Sequence, residues 1–193
     1  MEEQTRIKIC GLTRLEDIDA VNELKPEYVG FVFAKSRRQI TKEHAVTLRR
    51  YLDPEIQAVG VFVNELPAIV AGYLEEGVID LAQLHGNESE EYTHSLRFRT
   101  GGELIKAFSI KTREDVEKAK KSSADYILLD LGKGGTGESF DWSLNRNMDR
   151  PYFLAGGLNA ENVEQAILQT HPFAVDISSG VETDGVKDPK KIT

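Results

Sequence analysis

Cysteine is almost missing from this chain: Cys10 is the only one in 193 residues. A single thiol cannot close an internal disulfide, which fits a reducing, cytoplasmic-type compartment. Positive charge is short as well. Lys and Arg number 24 against 32 Asp and Glu, a formal net charge of −8, and the pI is about 5.1. An acidic surface argues against nucleic acid as a partner, since its phosphates call for clustered Lys and Arg. One local basic pocket for a small anion remains compatible with it. No apolar run reaches the roughly 20 residues that span a bilayer. The acidic start Met1-Glu2-Glu3-Gln4 lacks the basic and then apolar pattern of a secretory signal. No membrane partner is expected. Four scattered histidines and one cysteine give no zinc-ligand spacing. A Ser-His-Asp hydrolase would need a G-x-S-x-G elbow, and none is present.

What is present is a recurring unit. Short apolar or β-branched runs end near Cys10, Phe33, Val63, Leu84, Phe108, Asp130, Ala155 and Ile177, and helix-compatible segments fill most of the gaps. Helical apolar spacing is clear in Ile18, Val21 and Leu24, and again in Val163, Ala166 and Ile167. Thr13 with Glu16 and Asn87 with Glu90 read as capping boxes, while Thr41, Asn64 and Asn159 read as N-caps. Pro67 suits a first helical turn. Strands alternating with helices imply parallel pairing through βαβ crossovers. Eight strands, with no G-x-G-x-x-G after the first, favour a closed (βα)8 TIM barrel over an open doubly wound sheet. One domain covering residues 1–193 is expected, with the eighth helix short or missing, because the last strand ends close to Thr193. The stretch from Gly132 to Arg150 reads as loop, with at most one helical turn at Asp141-Trp142-Ser143-Leu144.

In such a barrel the chemistry gathers where the strands end. Gly156-Gly157 and Ser179-Gly180 follow the seventh and eighth strands, the usual place for a phosphate, and glycine lets backbone amides approach an anion closely. Ordinary turn chemistry is the alternative. Cys10 is either inert packing or a reactive thiol, and its place at a strand end keeps the second reading open. Side chains alternate along a strand. If Cys10 faces inward, so does Lys8 one layer below, and Asp176 with Ser178 shares the inward face of the adjoining eighth strand. A buried lysine needs an opposite charge, so a Lys8–Asp176 ion pair is expected beneath the site. It is either purely structural or a device favouring a thiolate at Cys10. Asp130 ends an apolar strand, where an unpaired carboxylate would be costly; it is either a group of the site or a cap that accepts N–H bonds of the glycine-rich loop. Arg38 is either a cation of the site or an ordinary surface charge, and His85 either a catalyst or a satisfied loop histidine.

These residues stand in motifs that resemble the phosphoribosylanthranilate isomerase family of tryptophan biosynthesis. The similar stretches are Lys8-Ile9-Cys10-Gly11-Leu12-Thr13, Gly30-Phe31-Val32-Phe33, Gly60-Val61-Phe62-Val63-Asn64 and Gln83-Leu84-His85-Gly86. They go on with Leu129-Asp130, Gly134-Gly135-Thr136-Gly137, Phe140-Asp141-Trp142 and Leu154-Ala155-Gly156-Gly157-Leu158. Asn162-Val163, Asp176-Ile177-Ser178-Ser179-Gly180-Val181-Glu182 and Lys187-Asp188 complete the set. The resemblance implies an Amadori rearrangement of N-(5-phosphoribosyl)anthranilate to 1-(2-carboxyphenylamino)-1-deoxyribulose 5-phosphate. It implies Asp130 as general acid, Cys10 as general base, and Arg38 against the anthranilate carboxylate. Gln83, His85, Gly156, Gly157, Ser179 and Gly180 are implied around the substrate. The family usually has Ser-Pro-Arg where this chain has Ser36-Arg37-Arg38, so position favours Arg38 and leaves Arg37 open. No cofactor is implied, the iminium being its own electron sink; monomer and homodimer both remain open. Two alternatives stand beside this reading: a related sugar-phosphate isomerase of histidine biosynthesis, and a barrel that binds a phosphorylated metabolite without turnover, for instance through truncation.

Overall fold

The computed structural model describes residues 4–132 and 148–192. Eight parallel strands close on themselves: β1 (Arg6–Cys10), β2 (Tyr28–Val32), β3 (Gln57–Phe62), β4 (Leu81–Leu84), β5 (Glu103–Ser109), β6 (Tyr126–Asp130), β7 (Tyr152–Ala155) and β8 (Ala174–Ile177). Closure pairs β1 with β8, Lys8 opposite Asp176 and Ile9 opposite Ile177. Outside the barrel lie α1 (Leu15–Leu24), α2 (Lys42–Tyr51), α3 (Pro67–Glu75), α4 (Glu90–Thr100), α5 (Arg113–Lys120) and α6 (Val163–Thr170). After β8 come a two-stranded hairpin, β9 (Glu182–Thr183) with β10 (Val186–Lys187), and a four-residue helix α7 (Pro189–Ile192). The expected short eighth helix is therefore present as a single turn, with Ile192 buried in the outer core. The motifs at 134–137 and 140–142, and the expected turn at 141–144, lie outside the described residues. No helix among the described residues is long and apolar enough to cross a membrane.

Strand alternation builds two cores. Ile9, Val29, Phe31, Ala82, Leu104, Leu129, Leu154 and Val175 face the helices. Tyr28, Val59, Leu81, Ile105, Leu128 and Phe153 fill the barrel. The interior is graded along its axis. Its lower end is aromatic: Tyr28 meets Phe153 edge-on at 5.3 Å, Tyr126 stacks on Phe173 at 5.0 Å, and the Arg6 guanidinium lies 4.4 Å over Phe173. The end towards the strand C-termini instead buries Lys8, Gln83 and Cys10. Polar groups are expensive to bury, so this gradient locates the site before any chemistry is considered.

Several helix starts differ from expectation. Helix α1 begins at Leu15, and Asp17, not Glu16, accepts the amides of Thr13 (2.9 Å) and Arg14 (3.1 Å). Helix α4 is capped by Ser89, which accepts the Tyr92 amide, rather than by Asn87. Asn64 sits at φ 52° and accepts the Asn87 amide from the next loop, so α3 starts beyond it at Pro67. For α1 and α4 an acceptor within three residues displaced the local candidate; for α3 the Asn64 oxygen is taken by another loop, and Leu66 precedes the helix with no side-chain cap. Thr41 does cap α2, through His44. Asn159 accepts the amides of Glu161 and Asn162, closing the turn just ahead of α6.

Candidate active site

At the C-terminal ends of the strands opens a cleft of about 570 Å³. It brings together Cys10, Arg38, Gln83, His85, Asp130, Gly156, Gly157, Asp176 and Ser179. A larger hollow of about 780 Å³ lies at the opposite end, around Arg6 and Phe173, where the strands begin; it holds Asp149, Arg150 and His171 but no thiol and none of the strand-end residues. Each cleft residue stands at a strand end or in the loop after it, because the inward face of a parallel strand simply runs out there. Strand alternation turns Cys10 inward, and its β2 neighbour Gly30 leaves room for the thiol. A Cβ on Gly30 would stand 2.5 Å from the Cys10 Sγ. Asp130 owes its room to Gly156 in the same way: a Cβ there would come within 2.8 Å of Oδ1, and the residue holds φ +102°.

Beneath the cleft the fully buried Lys8 ammonium donates to Asp176 Oδ2 at 2.9 Å and to Gln83 Oε1 at 2.9 Å. Lysine only donates, so the Gln83 oxygen must face it and the Gln83 amide N–H faces His85 Nδ1, 2.9 Å away. Nδ1 therefore accepts, and the ring carries its proton on Nε2. That N–H faces Asp130 Oδ2 across 3.7 Å, beyond direct hydrogen-bond length. A continuous polar chain thus crosses the barrel mouth from Asp176 through Lys8, Gln83 and His85 to Asp130. Asp176 Oδ1 is buried and has no partner among the described residues.

The phosphate-type loops meet but differ in detail from expectation. Gly156 and Gly157 hold φ of 102° and 67°, both in the left-handed region open to glycine. Gly180 forms an isolated bridge with Asn159, and a Cβ on it would strike the Leu158 carbonyl oxygen at 1.9 Å. It clasps the two loops together and does not line the cleft, whereas Ser179 does. Helix α6 starts only at Val163, so its dipole is set back from the glycine pair.

A family model for N-(5′-phosphoribosyl)anthranilate (PRA) isomerase matches residues 7–193. The chain belongs to the phosphoribosylanthranilate isomerase family. Its relatives include N-(5′-phosphoribosyl)anthranilate isomerases of Thermoanaerobacter pseudethanolicus and Clostridium acetobutylicum, each 48% identical over 97% of this chain and 94% of theirs. Among solved structures, phosphoribosyl anthranilate isomerase from Thermotoga maritima is 41% identical with a TM-score of 0.90, covering 98% of this chain and 95% of its own. A structure at the same identity and coverage, TM-score 0.87, holds reduced 1-(o-carboxyphenylamino)-1-deoxyribulose 5-phosphate.

For a member of the phosphoribosylanthranilate isomerase family, the resting electrostatics differ from the simplest acid–base expectation. Burial pushes the Cys10 thiol above its ordinary value; Lys8 and Lys187 pull it down and Asp176 pushes it further up. The Lys8–Asp176 pair forms, yet it does not leave Cys10 with a favoured thiolate. His85 and the Gly132 amide (3.0 Å) hold the Asp130 carboxyl below the usual carboxylate range, against the opposing effect of burial. The cleft's own groups thus favour a thiol and a carboxylate.

Sequence reading missed the neighbours of Arg38. Glu182 Oε1 and Oε2 accept from Arg38 Nε (2.6 Å) and Nη2 (3.0 Å), and Oε2 also accepts from Arg37 Nη2 (2.5 Å). The buried Lys187 ammonium donates to Glu182 Oε1 and to the Ser178 carbonyl, both at 2.9 Å. Arg38 lines the cleft, whereas Arg37 is largely exposed beside Gly185. The available signal was Asp184-Gly185. Both residues hold positive φ (51° and 83°) between paired Thr183 and Val186, a two-residue type I′ hairpin of the kind Asp-Gly strongly favours.

Proposed function

We propose that this chain isomerises N-(5-phosphoribosyl)anthranilate to 1-(2-carboxyphenylamino)-1-deoxyribulose 5-phosphate, the Amadori step of tryptophan biosynthesis. The observation that carries the reading is one cleft holding a thiol, a carboxyl group, a guanidinium and two glycine loops, in a chain of this family. Asp130 donates a proton to the furanose ring oxygen as the C1′–O bond breaks, and the nitrogen lone pair completes a C1′=N iminium. Cys10 takes the proton from C2′; that electron pair forms C1′=C2′, and the C=N electrons return to nitrogen. The enolamine then tautomerises, gaining a proton at C1′ as the hydroxyl on C2′ becomes the ketone. Arg38 receives the anthranilate carboxylate through its guanidinium fork. The loops at Gly156-Gly157 and Ser179 receive the phosphate, and Gln83 orients His85 against Asp130.

The substrate itself supplies the protonation states that the chain's own groups disfavour. Its carboxylate and phosphate raise the carboxyl of Asp130 towards its acid form, and the iminium born at C1′ favours a thiolate beside it. Chemistry in this order needs each charge only as the step before creates it. The chain works in the cytoplasm, supported by its one free thiol. The test is loss of anthranilate-type fluorescence on turnover of phosphoribosylanthranilate. Cys10→Ala and Asp130→Asn are expected to lower kcat by about 10²- to 10⁴-fold with substrate binding still measurable. Near-normal turnover in either variant refutes the role given to that residue, and binding without turnover by the unsubstituted chain refutes the activity.

A further inference from the structure

Arg38 is held from two sides before any substrate arrives. Its stem lies against Gly11, where an added Cβ would stand 2.3 Å from the Arg38 Cδ and where φ is +87°. Its Nε and Nη2 edge is closed by the bidentate Glu182 carboxylate. Glu182 is itself anchored: its side chain is 5% exposed and also accepts from Arg37 and Lys187. The edge between Nη1 and Nη2 is the one this clasp leaves for a second carboxylate. Three cations around one carboxylate also leave a local surplus of positive charge in a chain of net charge −8.

We infer that Glu182, carried on the C-terminal hairpin and braced by Lys187, is a positioning residue that turns the free edge of Arg38 towards the carboxylate of the arylamine substrate. The inference rests on the proposed isomerisation. A guanidinium can present either of two bidentate edges, and the orientation of a long, flexible arginine is costly to fix unless something else holds it. Glu182 therefore touches no substrate atom and acts through Arg38. Selectivity for an ortho-carboxylated ring then depends on a residue of a different loop from the arginine that reads it.

The test is steady-state kinetics of Glu182→Gln, alone and in an Arg38→Met background, with phosphoribosylanthranilate and with its aniline counterpart lacking the carboxylate. Glu182→Gln is expected to raise KM for the carboxylated substrate about tenfold, the scale of one charge-assisted hydrogen bond, with kcat within about twofold. It should leave KM for the aniline substrate unmoved, and it should change nothing further once Arg38 is Met. Glu182→Asp, which keeps the charge but shortens the reach, serves if the glutamine variant does not fold, and is expected to raise the same KM. An equal loss with both substrates, or the same loss with and without Arg38, shows a merely structural role and overturns the inference. A fall in KM overturns it too, by showing that Glu182 competes with substrate for Arg38. Turnover by the unsubstituted chain with KM unmoved in the variant overturns this inference alone, whereas no turnover by the unsubstituted chain overturns the function beneath it.

Discussion

Gly30→Ala tests whether the placement of the Cys10 thiol is what the barrel mouth provides. The added methyl would lie 2.5 Å from Cys10 Sγ, 3.0 Å from its Cα and 3.1 Å from its Cβ. Relief by rotating the thiol clears only the first of these; the other two belong to a strand paired on both sides. Overpacking of this kind costs about 1–3 kcal/mol. The thiol must also shift by about 1 Å, and a misplacement of that size costs about 10²-fold in rate. Gly60→Ala is the matched control. Its methyl would come within 2.7 Å of Ile79 and 2.9 Å of Phe62, in the layer between sheet and helices. Urea unfolding should show both variants destabilised by about 1–3 kcal/mol. Only Gly30→Ala should lose kcat/KM by about 10²-fold. Retention of kcat/KM in Gly30→Ala at the level of Gly60→Ala would refute the claim that the inward thiol is the reacting group.

Two further outcomes are expected. The kcat/KM profile should be flat over a wide neutral range. Its acid limb should fall below the ordinary carboxylate value, because Asp130 is lowered, and its alkaline limb above the ordinary thiol value, because Cys10 is raised; limbs displaced inwards would contradict both directions. Lys106→Met should cost about 3–5 kcal/mol in urea unfolding, since Lys106 donates to Glu88 Oε2 (2.6 Å) and to the Gly86 carbonyl (2.8 Å) in a buried pair under the His85 loop. Glu88 is lowered despite its burial, chiefly by Lys106 and by the amides of Asn64 and of Glu88 itself. Its contribution is therefore full above the ordinary glutamate value and disappears as the pH falls through the lowered one. Acid titration of stability should lose that step in the variant, and a variant as stable as the parent at neutral pH would show that the pair holds nothing.

The barrel was legible because its signals are periodic and redundant. Each strand end recurs, and alternation on β1 and β8 with closure of the ring was enough to place Lys8 against Asp176, 168 residues apart. Local caps were less legible, since Thr13, Asn87 and Asn64 compete with Asp17, Ser89 and a neighbouring loop, and tertiary packing chooses between them. The Glu182–Arg38 clasp was hidden for a different reason. A hairpin with two paired residues on each side has no hydrophobic pattern to read, and only Asp184-Gly185 marks it. The protonation bias of Cys10 and Asp130 could not be read from residue order at all, because it depends on how much water each loses and on which N–H groups surround it.

The seam between β1 and β8 also bears on how the protein is made. Lys8 and Cys10 leave the ribosome ahead of every other strand of the barrel, yet the carboxylate that neutralises Lys8 and the strand that walls the thiol arrive some 168 residues later. Until then an ammonium group destined for complete burial has to remain in water. Sealing the ring and assembling the reactive cleft are consequently one event, dominated by contacts remote in sequence and so slow to form. A nascent chain with seven strands in place would hold most of the hydrophobic core and yet lack Asp176, Ser178 and Ser179, so the cleft is whole only in a finished barrel.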